Sequence, residues 1–84
     1  MTPLISLEVL CVDRCYKIKI IQGLEQLHNL RGLVLHECIE LEEVFGVQHL
    51  MWLEWLDARE CPKLQWGEGV LEELRRRLEE RLYV

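Results

Sequence analysis

Four cysteines and three histidines carry the widest chemical repertoire in this 84-residue chain. Cys15, Cys38 and Cys61 recur at an interval of 23 residues. A thiol column invites disulfide bonding, metal ligation or nucleophilic attack. Ligation wants a C-x₂-C pair or a histidine at ligand spacing beside the cysteines, and neither occurs. Cys11 and His36 supply a thiol and a base, but no third group orients the imidazole. Gly67-Glu68-Gly69 precedes a helical stretch without being a phosphate loop, because G-x-x-x-x-G-K is missing and Glu68 repels phosphate. His28, His36 and His49 have no catalytic neighbours in sequence and read as solvated or partner-facing. The chain is expected to be no enzyme, with no catalytic, cofactor-binding or metal-ligating residues.

The cysteine interval belongs instead to a repeat. Around Cys38 the chain reads Leu30-x-x-Leu33-x-Leu35-x-x-Cys38-x-x-Leu41. The same LxxLxLxxCxxL spacing runs through Leu7, Leu10, Val12, Cys15 and Ile18, and through Leu53, Leu56, Ala58, Cys61 and Leu64. A fixed period in the twenties is the mark of a leucine-rich repeat, one turn of a solenoid per copy. Alternation in each copy makes a short strand with Leu10 and Val12, Leu33 and Leu35, Leu56 and Ala58 facing inward. One copy cannot bury that face alone, so copies stack with parallel strands, right-handed by the usual crossover rule. Each cysteine sits where the chain leaves its strand, pointing inward, with its S–H free for a nearby carbonyl. Reduced thiols place the protein in the cytoplasm.

The pattern continues through Ile18, Ile21, Leu24 and Leu27, then through Leu41, Val44, Val47 and Leu50. Gly23 and Gly46 let the chain turn with φ > 0, and short helical or 3₁₀ turns follow them. In the third copy Gly67 stands where Ile21 and Val44 stood, and Glu73 replaces the leucine of Leu27 and Leu50. The repeats end there. From about Val70 to Leu82, Leu71, Leu74, Leu78 and Leu82 make one apolar stripe of an amphipathic helix. Glu72 with Arg76 and Glu73 with Arg77 are spaced for ion pairing on its other faces. That helix is expected to cap the third copy. The expected fold is therefore α/β: a solenoid of three right-handed coils over residues 1–69, closed by a capping helix over 70–84. Met1–Ser6 is too short for an N-terminal cap. Leu4 and Ile5 lack repeat partners, which fits the tail of a longer array.

A formal charge of −5 disfavours nucleic-acid and anionic-membrane partners, which require basic surfaces. No apolar run approaches a membrane span, and Glu8 interrupts the N-terminal apolar stretch, against a signal peptide. What remains is the outward face of the strands. There Val9, Gly32 and Trp55 form one column, Cys11, Val34 and Asp57 a second, and Asp13, His36 and Arg59 a charged ladder. An outward tryptophan near an arginine is the composition of an interface hot spot. Asp13, Val34, His36, Trp55, Asp57 and Arg59 are the expected protein-binding residues. The competing expectation for Trp55 is that it packs flat over Gly32.

Leu53-Glu54-Trp55-Leu56-Asp57-Ala58-Arg59-Glu60-Cys61-Pro62-Lys63-Leu64, with its two companion copies, resembles the cysteine-containing repeats of plant intracellular immune receptors. These are the nucleotide-binding leucine-rich-repeat disease resistance proteins, and the likeness covers about Ser6 to Trp66. The resemblance implies a sensing and autoinhibitory segment in defense. Its partner would be a pathogen effector, a guarded host protein or the rest of its own receptor. F-box adaptors of ubiquitin ligases carry related repeats, usually with a longer period, and a homotypic assembly module is a further alternative. The chain contains no P-loop, coiled-coil or TIR region, so any nucleotide binding belongs to other residues.

Overall fold

A computed structural model describes residues 7–84; the expectations for Met1–Ser6, with Leu4 and Ile5, lie outside the described residues. Three strands carry the alternating leucines: β1 (Val9–Cys11), β3 (Gly32–Val34) and β5 (Trp55–Asp57). They pair in parallel, with Val9 beside Gly32 and Gly32 beside Trp55. Leu10, Leu33 and Leu56 align in the same way. Each partner therefore lies one sequence period further on. Alternation aims the leucines at the core, where Leu33 and Leu56 are fully buried.

A second parallel pair, β2 (Ile20–Ile21) with β4 (Glu43–Val44), was not expected. Only Ile21 and Val44 turn inward there, and two residues are too few to register as alternation. Gly23 and Gly46 follow at φ 87° and 91°. They open the expected 3₁₀ turns, Leu24–Gln26 and Val47–His49. Gly69 is the third member of this series, at φ 77°. Helix α1 (Val70–Leu78) starts from it, at the position where the earlier segments make a single turn.

Burial follows position in the stack. All eight repeat positions of the middle segment, Leu30, Leu33, Leu35, Cys38, Leu41, Val44, Val47 and Leu50, lie in the core. In the first segment Leu7, Leu10, Val12 and Ile18 are only partly buried. Cys15 is exposed, against the expectation that it points inward. The middle segment has a neighbour on each side, whereas among the described residues nothing is stacked beyond Cys15.

The C-terminal end departs most from expectation. Leu74 and Leu78 are buried in the core, and α1 packs beside the turn Val47–His49. Each such leucine contributes about 1.5–3 kcal/mol before entropy. The helix stops at Leu78 rather than Leu82. Glu79 takes φ 52°, a 3₁₀ turn spans Glu79–Arg81, and Leu82–Tyr83 forms β6. This strand pairs in parallel with β5, placing Leu82 beside Leu56 and Tyr83 beside Asp57. Ala58 N donates to Tyr83 O at 2.7 Å. The reason is the edge of β5, whose backbone groups need partners. Satisfying them outweighs one more turn of helix. The sheet order is thus β1-β3-β5-β6, four strands rather than three.

The expected helical ion pairs also shift. Arg76 pairs with Glu73, one residue closer than the expected partner Glu72. Arg77 leaves the helix surface altogether and donates to Gln48 O at 3.2 Å and Leu50 O at 2.6 Å. The result is a small α/β domain with parallel strands in a sheet and a C-terminal helix. Among the described residues no helix is long and apolar enough to cross a membrane.

Candidate protein-binding face

The outward side chains of the sheet divide into an apolar group and a charged group. Trp55 leads the first. Its indole occupies the space above Gly32, where an added Cβ would overlap Cζ2 and Cε2 of the ring. Gly32 is buried as a result, and Trp55 is half-buried rather than open to water. The packing alternative therefore describes Trp55, with only its outer edge left to touch a partner. Val34 is half-buried in the next column, while Val9 and Tyr83 remain exposed.

The charged group is built on Asp57 and Arg59. Arg59 Nε donates to Asp57 Oδ1 at 3.0 Å and Nη2 to Oδ2 at 2.8 Å, a two-pronged clamp. Asp57 Oδ1 also accepts the Arg59 backbone N–H at 3.1 Å. These bonds hold the Asp57 carboxyl below its ordinary pKa, led by the guanidinium hydrogen bonds, with burial opposing them. Arg59 is raised by the same contact. Its guanidinium also lies 5.3 Å from the centre of the Tyr83 ring, within cation–π range. Tyr83 reaches it only because β6 lies beside β5, a pairing the repeat pattern did not contain.

The expected ladder Asp13–His36–Arg59 is only half formed. His36 Nδ1 lies 3.5 Å from Asp13 Oδ1, as expected. Its Nε2 turns to Glu60 Oε2 at 3.3 Å, while Arg59 is engaged by Asp57. Glu60 reaches His36 from a strand exit with φ 61°; Arg14 and Glu37 adopt the same left-handed conformation at φ 54° and 56°. Both nitrogens of His36 thus face carboxylates, and neither is aimed at Cys11. Donor atoms of His36, Glu37 and Glu60 lie within 4.8 Å of one another, close enough to share a metal ion. No ligand spacing beside the cysteines pointed to this group, which contains none of them. Its signal was the 23-residue period itself, which sets Glu37 and Glu60 side by side.

The cysteines behave as structural thiols where they have a neighbour. Cys38 Sγ donates to Val12 O at 3.2 Å and Cys61 Sγ to Leu35 O at 2.6 Å. Each reaches the strand exit of the preceding segment. Among the described residues Cys15 Sγ has only Asp13 O, two residues before it, at 3.9 Å. All four cysteines are free thiols. Burial pushes the Cys61 thiol up, which favours the neutral hydrogen-bond donor.

Further pairs link neighbouring segments. Arg31 Nε lies between Glu8 and Glu54, at 3.9 and 3.7 Å. Lys63 Nζ contacts both oxygens of Glu40, at 3.1 and 3.0 Å. Exposed pairs of this kind contribute about 0–1 kcal/mol each and chiefly fix register. Bordering β4 is a groove lined by Phe45, Leu64, Trp66 and Val70. It opens where Gly67 replaces Val44: Gln65 N still donates to Glu42 O at 3.0 Å, but no strand continues beyond.

No protein-family model matches the chain, and no curated protein or solved structure does so either. The reading of this face rests on its geometry.

Proposed function

We propose that the chain is a leucine-rich-repeat solenoid of three right-handed coils whose outward strand face binds protein. In this reading it is the sensing or autoinhibitory repeat segment of a plant intracellular immune receptor acting in defense. The observation that carries it is the register: Val9, Gly32 and Trp55 are neighbours in the sheet, one period apart. Stacking at the sequence period presents the same strand positions repeatedly on one surface, which suits an extended contact. Arg59, clamped by Asp57 and backed by Tyr83, is a cation fixed before any partner arrives. Fixing it in advance lowers the entropy lost on binding, and Asp57, by taking Nε and Nη2, leaves Nη1 to donate to an acidic acceptor on that partner. His36 and Asp13 supply complementary polar contacts one and two strands away.

The partner would be an effector, a guarded host protein or another domain of the same receptor. The test is capture from plant extract on the immobilised chain, with Arg59→Ala and Val34→Glu alongside. Thermal unfolding of each variant controls for loss of fold. Specific capture that both variants abolish, at unchanged stability, supports the reading. Capture indifferent to both variants removes the outward face as the binding surface.

A further inference from the structure

His36 makes two contacts that a neutral imidazole cannot both satisfy. Nδ1 faces Asp13 Oδ1 at 3.5 Å and Nε2 faces Glu60 Oε2 at 3.3 Å. A neutral ring has one N–H. With the N–H on Nδ1, beside Asp13, Nε2 carries a lone pair and has a carboxylate oxygen 3.3 Å away. Two acceptors so placed repel unless something positive lies between them.

The spacing suits a metal ion. Zinc bonds of about 2.0–2.1 Å at the tetrahedral angle hold neighbouring ligand atoms about 3.3–3.4 Å apart. Glu37 supplies a third donor within 4.8 Å of the other two. Behind the ring, Asp13 occupies the place of the carboxylate that commonly orients a metal-bound histidine and fixes its tautomer. Its other oxygen, Oδ2, is held by Arg14 Nε at 3.3 Å, which anchors the carboxylate. We propose that His36, Glu37 and Glu60 bind a divalent transition-metal ion, zinc first, with Asp13 as the positioning residue. The imidazole nitrogen selects zinc over magnesium and calcium, which prefer all-oxygen shells. Three protein donors leave a fourth tetrahedral position open to water or to an outside ligand.

One neighbour opposes the site. Arg14 Nε lies 4.0 Å from Glu37 Oε2 and competes with the metal for that carboxylate. The charge of Arg59 also reaches Glu60, but Asp57 takes its Nε and Nη2, so it competes less. The proposal is independent of protein binding and stands or falls without it.

Zinc chloride titrated into the full chain, followed by calorimetry and by ¹⁵N spectra of the imidazole, tests it. Cys11→Ser and Cys15→Ser in every sample remove the exposed thiols as rival ligands. One equivalent of zinc should bind and shift Nε2 of His36 while Nδ1 keeps its proton. His36→Gln and Glu60→Gln should each weaken binding more than about tenfold, and Asp13→Asn by about tenfold. Arg14→Gln should tighten it, and excess magnesium should not compete. Zinc bound equally well by His36→Gln would be adventitious and would overturn the proposal. Absence of binding, with both His36 nitrogens protonated at neutral pH, would overturn it too: a proton would then occupy the metal's place.

Discussion

The indole of Trp55 fills the space that a side chain at Gly32 would take. The two residues are direct partners across β3 and β5, so a missing side chain on one strand is matched by the largest on the next. An added methyl at residue 32 has no room unless the ring moves. Gly32→Ala should therefore destabilise the fold by about 1–3 kcal/mol through overpacking. Trp55→Ala should cost about 1–2 kcal/mol. The double variant should cost less than the sum, because the clash is gone once the ring is removed. Urea unfolding of the three proteins measures this, and strict additivity would show that ring and glycine do not pack as a unit.

The thiols should separate by their place in the stack. Cys38 is wholly buried and bonded to Val12 O, whereas Cys11 and Cys15 are exposed. Maleimide should label Cys11 and Cys15 quickly because they are exposed. It should label Cys61 slowly, because burial raises its thiol and the thiolate is the reactive form, and Cys38 only on unfolding, because burial bars the reagent. Cys38→Ala should cost about 1–2 kcal/mol through the small cavity and lost contact. Cys15→Ala should be close to neutral. Peptide mapping of the labelled chain reads out the order.

The parallel pairing and the αL turns at Gly23 and Gly46 were legible because each copy restates the same inward positions. Period alone assigns Leu33 to Leu56 and Gly32 to Trp55. What could not be read depends on events that occur once. Leu82 continues the helical spacing of Leu71, Leu74 and Leu78, yet the open backbone of β5 draws it into a strand. Arg77 looks like the partner of Glu73 until the helix docks and brings the carbonyls of Gln48 and Leu50 within reach. In the candidate site, the Asp13–His36 contact followed from the columns. The turn of Nε2 toward Glu60 did not, because it depends on how the chain leaves the strand at φ 61°. Tyr83 beneath Arg59 was hidden for the same reason as β6.

Asp57 gives the fold a dependence on acid. Its folded-state pKa lies below the ordinary value because Arg59 and a backbone N–H bond the charged form. A depressed carboxyl stabilises the native state fully above its unfolded pKa, near about 3.9. That contribution is lost as pH falls through the lower folded value. Between pH 7 and about 5 the term should be flat, and below about 4 stability should decline. Asp57→Asn should lower stability at pH 7 and make the acid limb shallower. Urea midpoints at a series of pH values test this; an unchanged acid limb in the variant would assign the loss to other carboxyls.

Arg77 ties the C-terminal helix to the rest of the molecule through backbone rather than through a carboxylate. Its Nη1 and Nη2 meet Gln48 O and Leu50 O at 3.2 and 2.6 Å, where the turn Val47–His49 ends. Arg77→Ala removes a charged donor from the part-buried Leu50 carbonyl, which keeps only the Leu53 N–H at 3.2 Å, and should cost about 1–3 kcal/mol as the loss of hydrogen bonds from a charged group. Arg77→Lys should recover only part of that, since one ammonium cannot reproduce the planar fork that spans two carbonyls. Arg76 provides the internal control. It lies one residue away on the same helix, exposed and paired with Glu73, so Arg76→Ala should change stability by less than about 1 kcal/mol. Amide exchange locates the effect. Arg77→Ala should speed exchange in α1 and, to a smaller degree, at Ala58, whose N–H is bonded to Tyr83 in β6, because the helix leads directly into that strand while β5 still pairs with it. If Arg76→Ala and Arg77→Ala behave alike, the two carbonyl contacts do not secure the helix, and the apolar face of Leu74 and Leu78 holds it alone.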